Sequence, residues 1–222
     1  MRTTYHEQLE GLAEGLADMC ATVGQAMGNA TRALLDCDLA VAQQVIAADT
    51  TVDTARTDLE ELAYELLALQ APVATELRTV VAAIHAAESL ERMGDFALHV
   101  SKTVRRRHPN SVLPASIRPQ FAQMGRLAVA QAHAAEQVIR SRDVTLARHV
   151  EDADDQMDNL HRDLFIALLA SDWPHGVTAA VDATQLSRFY ERFADYAVSV
   201  ARRTVFVVTG RMPGPATANG AG

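Results

Sequence analysis

Residues 81–100 read VAAIHAAESLERMGDFALHV, and residues 181–200 read VDATQLSRFYERFADYAVSV. Val81, Ala83, Glu91, Arg92, Asp95, Ala97 and Val100 of the first stretch recur as Val181, Ala183, Glu191, Arg192, Asp195, Ala197 and Val200, at a constant offset of 100 residues. Upstream, Asp38, Ala42, Val45, Asp49, Asp53, Asp58 and Leu59 recur as Asp143, Ala147, Val150, Asp154, Asp158, Asp163 and Leu164, at an offset of 105. Self-similarity at a fixed spacing is the signature of a duplicated supersecondary unit. The two offsets differ because the second copy is shorter where the first reads Gln70-Ala71-Pro72-Val73-Ala74 and the second reads Asp172-Trp173-Pro174-His175-Gly176. Length variation at a proline-containing junction belongs to a loop between two helices.

Each copy divides into three helices. The first runs from about His6 to Leu35 and breaks at Asp36-Cys37-Asp38. The second is capped by Asp38 and runs to about Leu69. The third extends from near Thr75 to Arg107 and stops at His108-Pro109-Asn110. The second set is expected over about 116–141, 143–171 and 175–209. Apolar residues make up 49% of the chain but aromatic ones only 5%, a composition that suits closely packed helices better than a β-sandwich. A helix of ~30 residues spans about 45 Å, and short connections make sequence neighbours antiparallel. The expected fold is all-α, a tandem repeat of two elongated antiparallel three-helix bundles. Its units are residues 1–108, a linker 109–116, residues 117–209 and a tail 210–222 too weakly hydrophobic to order itself.

The formal charge of −8 argues against nucleic acid as the principal partner, because such binding depends on Lys and Arg neutralising phosphates. Arginines nonetheless cluster at Arg105–Arg107 and again at Arg202, Arg203 and Arg211. Both groups fall at a predicted helix end, where positive charge complements the macrodipole. A docking patch for an acidic partner or a membrane surface is the other reading. Cys20 and Cys37 form no metal signature and no disulfide framework, and both are expected as small buried hydrophobes. Met1–Glu10 lacks the apolar core of a secretory leader. No run reaches the ~18 apolar residues of a membrane span. A cytoplasmic protein is expected, with any membrane role carried by a partner.

Glu91 and Asp95 lie one turn apart on one helix face, as do Glu191 and Asp195. On a helical wheel Glu88, Glu91, Arg92, Asp95 and His99 form a polar arc opposite Ala87, Leu90, Met93, Ala97 and Val100. The second helix of each copy adds Asp49/Asp53 and Asp154/Asp158. Like charges stacked this way cost several kcal/mol per unpaired ion, in order of magnitude, once a neighbouring helix desolvates them. A bound cation, a counter-arginine, a proton or plain exposure to water must compensate. A set made only of carboxylates favours Mg²⁺, Ca²⁺, Mn²⁺ or iron, whereas most charged arcs are simply solvated. His85 and His99 have no counterpart in the second copy (Gln185 and Ser199) and are expected at the surface.

Glu-Arg-Met-Gly-Asp and Glu-Arg-Phe-Ala-Asp resemble the twice-repeated acidic motif of the PhoU family, Glu (or Asp)-x-x-x-Asp. Gln70 to Arg78 resembles that family's loop and third-helix start, and the segments ending at Asp53 and Asp158 resemble its second-helix motif. The resemblance spans about residues 6–209. It implies a peripheral cytoplasmic regulator that commonly dimerises. Such a protein links the phosphate ABC transporter to a membrane sensor histidine kinase, represses phosphate-starvation signalling and restrains uptake. Some members carry iron or zinc clusters on the acidic motifs, and carry-over makes Glu91, Asp95, Glu191 and Asp195 the ligands, with Asp49, Asp53, Asp154 and Asp158 opposite. The second copy departs from the pattern in having Trp173-Pro174 in place of the Gln-x-Pro loop. Two other readings compete with the regulator. A carboxylate-bridged di-iron enzyme would need Glu-x-x-His pairs, and only the reversed pairs His85/Glu88 and His133/Glu136 occur. A structural bundle would leave the acids facing water.

Overall fold

The computed structural model describes residues 2–211, with side chains from Tyr5 onward; the expected tail from Met212 lies outside the described residues. Six helices account for the architecture: α1 (Arg2–Asp36), α2 (Leu39–Gln70), α3 (Thr75–Arg107), α4 (Arg118–Ser141), α5 (Val144–Leu169) and α6 (Gly176–Thr209). No strand occurs among the described residues.

The repeat is written into the backbone at the first turn of each unit. Cys37 and Arg142, at matching positions, both adopt φ of 56°. That left-handed residue ends α1 or α4 and delivers Asp38 or Asp143 as the next N-cap. Asp38 accepts from the Val41 amide, and Asp143 accepts from the amides of Thr145 and Leu146. Each cap satisfies amide donors left free by the first turn, worth about 1 kcal/mol. The turns before α3 and α6 differ. The first uses Ala71 and Ala74 at φ of 44° and 50°, whereas the shorter second uses Gly176 at 77°, a conformation that glycine adopts without a Cβ penalty.

The bundles lie side by side. α1 packs on α4 and α3 on α6, while α2 flanks α1 and α3, and α5 flanks α4 and α6. The helical-wheel reading holds for the core arc: Ala87, Leu90, Met93, Ala97 and Val100 are fully buried, as are Tyr190, Phe193 and Ala197. One hydrophobic core runs through both bundles, and at its centre the Thr31 and Tyr190 hydroxyls hydrogen-bond at 2.9 Å. Because α3 and α6 are antiparallel, each end of the pair joins the start of one to the finish of the other. Where α6 begins, the core is closed by Phe121, Leu186 and the linker residues Val112 and Leu113, all buried. Where α3 begins, a groove with about 50 Å³ of free space remains, lined by Leu12, Leu16, Ala82, Ala86, Arg203 and Val207.

One expectation needs correction. Cys20 is buried, but Cys37 is only partly so, because its left-handed backbone sits in the connection rather than on the core stripe. Pro119 follows the expected linker and lies in the first turn of α4, where its missing N–H costs nothing.

Candidate acidic clusters on the second and third helices

The second and third helices of each bundle bring the eight acids into two quartets. In the first, Asp49 and Asp53 on α2 face Glu91 and Asp95 on α3. Burial, then Asp53 and Asp95, push the Asp49 carboxyl above its ordinary range. Burial and Asp95 do the same to Glu91, against the opposing pull of Arg92. In the second, Asp154 and Asp158 on α5 face Glu191 and Asp195 on α6. Burial, then repulsion from Asp195 and Asp158, raise Asp154 to about 6, although Gln131 of α4 donates to it across 3.5 Å. Burial also raises Glu191 and Asp195. Like charges and partial desolvation act together at each site. Asp53 and Asp158 are the exposed outer members of their quartets.

Arginines offset part of this charge. Arg92 reaches Asp95 at 3.1 Å and Glu91 at 3.6 Å. Arg192 reaches Asp195 at 3.3 Å, and Arg188 pairs with Glu191. Arg92 and Arg192 follow from the wheel, since each shares the polar arc of its acids. The Arg188–Glu191 pair was visible only as an i, i+3 spacing, without a sign that it would form. One carboxylate oxygen stays orphaned: Glu191 Oε2 is buried without a hydrogen-bond partner, a costly state unless something else meets it.

The donor set therefore fits a hard or borderline cation in chemistry: oxygen ligands, elevated affinity for positive charge, and an orphaned oxygen in the second quartet. Among the described residues no three of these side chains converge as a metal-holding group. Arginines hold four of the eight carboxylates, so a cation would have to displace those pairs. Asp195, Glu191, Asp154 and Asp158 are the better-matched ligands, and Glu91, Asp95, Asp49 and Asp53 the more compensated ones.

Between the quartets runs an aromatic seam that the sequence did not announce. Phe96 of α3 stacks on Phe189 of α6 at 6.1 Å and meets Tyr196 at 5.9 Å, and the exposed His99 stacks on Phe189 at 5.3 Å. The Arg192 guanidinium lies 5.3 Å from the Tyr196 ring centre. The basic ends also differ from a simple dipole arrangement. Arg106 and Arg107 both bond the buried Asp182 of α6, at 3.1 and 2.6 Å, and Arg202 bonds Glu151 at 2.7 Å. His85/Glu88 and His133/Glu136 are exposed-side pairs at 4.0 and 3.3 Å. No described helix is long and apolar enough to cross a membrane.

Comparison with known proteins adds an independent line. A family model described as "PhoU domain" matches twice, over residues 16–104 and 121–204. The chain is 53% identical over 213 residues to the phosphate-specific transport system accessory protein PhoU homolog 1 of Mycobacterium leprae, covering 96% of each. It is 52% identical to PhoU homolog 2 of Mycobacterium tuberculosis, covering 96% of this chain and all of that one. The crystal structure of the phosphate transport system regulatory protein PhoU from Streptococcus pneumoniae superimposes with a TM-score of 0.86 at 22% identity, covering 95% of this chain and 100% of that one. PhoU from Pseudomonas aeruginosa gives 0.82 at 23%, covering 93% and 100%.

Proposed function

The chain belongs to the PhoU family, and from that membership we propose that it is a cytoplasmic accessory regulator of phosphate transport that holds uptake and starvation signalling in check when phosphate is plentiful. In this reading it binds rather than catalyses. Its partners are the phosphate ABC transporter and a sensor histidine kinase, and it works as a homodimer. The names of its relatives support the transport connection, since those proteins are accessory to a phosphate-specific transport system.

The observation that carries the reading is the pair of matched acidic quartets, each formed between the second and third helices of its bundle. Two clusters of mutually repelling carboxylates at equivalent places are costly to keep charged, and a cation or a basic partner surface relieves that cost. Glu191, Asp195, Asp154 and Asp158 would hold a divalent ion (iron, zinc, manganese or magnesium) in the second bundle, and Glu91, Asp95, Asp49 and Asp53 in the first. Such an ion would supply the positive charge now drawn from Arg92, Arg188 and Arg192. The chain's own part is to hold the carboxylates on rigid neighbouring helices.

The reading is tested in cells by Glu91→Ala with Asp95→Ala, and separately by Glu191→Ala with Asp195→Ala. Each is expected to fold and yet to express phosphate-starvation genes in phosphate-rich medium; normal repression in both would overturn the regulatory role of the quartets. The cation is tested on untagged protein by elemental analysis and by thermal melts with added Mn²⁺, Mg²⁺, Fe²⁺ or Zn²⁺. A ligand at ~100 times its Kd stabilises the folded form by about 2.7 kcal/mol. A metal-free protein whose melting ignores all four ions would leave the arginines as the sole counter-charges.

A further inference from the structure

The last turns of α3 carry a concentration of positive charge that its repeat counterpart α6 lacks. His99, Lys102, Arg105 and Arg106 of α3, with Gln185 and Phe189 of α6, line an open recess of about 440 Å³. Lys102, Arg105 and Arg106 stand at i, i+3 and i+4 and so share one helix face. Lys102 is the only lysine among the 222 residues of a chain whose formal charge is −8. Arg106 is partly engaged by Asp182, a carboxylate that it shares with Arg107. Lys102 and Arg105 are exposed, and neither forms an ion pair among the described residues.

The helix dipole does not explain this cluster. α6 is the repeat counterpart of α3, and its last turn contains no basic residue at all. Lys102 is matched by Arg202, but Arg105 and Arg106 are matched by Val205 and Phe206, His99 by Ser199, and Phe189 by Ser89. The recess is thus a property of one end of the molecule, built after or against the symmetry of the duplication.

Three chemical features select the occupant. A single carboxylate is satisfied by one arginine fork, whereas Lys102, Arg105 and the free capacity of Arg106 together call for two or more negative charges. A volume of this size, open to solvent, lies in the ~300–1,000 Å³ range of small-molecule sites. A stacked pair of rings, His99 on Phe189, also lines the recess.

We propose that this recess binds a small phosphate compound carrying two or more linked phosphate groups. Lys102 and Arg105 hold the phosphate oxygens, Arg106 contributes its outer N–H groups, and Gln185 donates from α6. A nucleoside polyphosphate and an inorganic polyphosphate share this chemistry, and only the former also uses the Phe189–His99 platform. The recess shares no residue with the acidic quartets but adjoins the first, since Lys102 and His99 both pull against the rise of the Asp49 carboxyl; EDTA in the test below keeps the two sites apart.

The test is calorimetric titration of the full chain with ATP and with inorganic triphosphate, in EDTA to keep divalent ions away from the quartets. Saturable binding of at least one is expected, weakening with salt. The double variant Lys102→Gln with Arg105→Gln is expected to retain the wild-type melting curve, both side chains being exposed, and to lose about tenfold or more in affinity. Arg148→Gln with Arg211→Gln, in a different recess on α5 and α6, is the control and is expected to bind as the wild type does. Because Lys102 is the only ε-amine, its acetylation followed by mass spectrometry reads occupancy directly, and bound ligand should slow it. A preference for ATP that disappears in Phe189→Leu identifies the nucleotide; equal binding identifies the inorganic chain. No saturable binding of either compound, equal losses in the control, unprotected Lys102, or uptake only of phosphatidylglycerol vesicles would each overturn the proposal.

Discussion

At the end of the α3–α6 pair where α6 begins, Phe121, Leu186 and Asp182 with its two arginines close the core; at the other end their repeat counterparts are Leu16, Ala86 and Ala82, and a groove stays open. The backbone preserved the duplication at both ends, down to the matching left-handed residues Cys37 and Arg142. The side chains did not. The closed end is the one over which the chain continues, through Val112 and Leu113, into α4. Symmetry in such a protein is therefore a property of helix placement, and local closure is settled residue by residue.

The sharpest way to break the comparison is to empty the closed end. Leu186→Ala is expected to cost about 3 kcal/mol in urea denaturation, the usual range for a fully buried leucine. Its counterpart change, Ala86→Leu, has free space to enter and should be neutral or stabilising by up to ~1 kcal/mol. If Ala86→Leu costs as much as a typical overpacking change, the groove is not the free space described.

Asp182→Ala comes next. Removing the carboxylate leaves Arg106 and Arg107 to water, to which both are partly exposed, so a loss of about 1–2 kcal/mol is expected. Urea denaturation reads that loss directly.

Smaller still is the pH effect that separates the quartets. The Asp154 carboxyl titrates near 6 in the folded protein against an ordinary value near 3.8. Between those values the folded state holds a proton that the unfolded state has lost. Its contribution is fully present below about pH 4 and is lost as pH rises through 6. Because the group is partly exposed, solvent screening reduces the effect to on the order of 1 kcal/mol. Asp154→Asn should therefore stabilise the metal-free protein at pH 7 and have little effect at pH 4. Asp49→Asn, on the better-compensated side, should show the same trend more weakly. A stability profile of Asp154→Asn parallel to that of wild type from pH 4 to 7 would remove the distinction between the quartets. Arg92→Ala is expected to have the least effect, under about 1 kcal/mol, as an exposed pair.

Much of this molecule could be read from local pattern. Helix limits followed from the cap Asp38, from its repeat counterpart Asp143 and from the proline junctions, and the buried arc of α3 followed from the 3.6-residue period. The acids fell on one face because Glu91–Asp95 and Asp49–Asp53 are each one turn apart. Contacts between the copies were not legible, because nothing near Arg106 or Arg107 in sequence points to Asp182, some 75 residues away. The same holds for Phe96 against Phe189 and Tyr196, whose meeting depends on α3 lying along α6. Side-by-side and end-to-end bundles were equally compatible with the repeat, and the continuous core decides for the former.

That core has an evolutionary and biophysical corollary. Tyr190 of the second unit reaches Thr31 of the first, and neither unit encloses its own apolar interior. A polypeptide of half this length would have had to find a second copy of itself to fold, with a stability that depended on concentration. Joining the two ends converts that encounter into an intramolecular one at an effective concentration of about millimolar. Severing the connection between α3 and α4 should reverse the change, leaving two fragments that remain unstructured alone and regain helicity only when mixed.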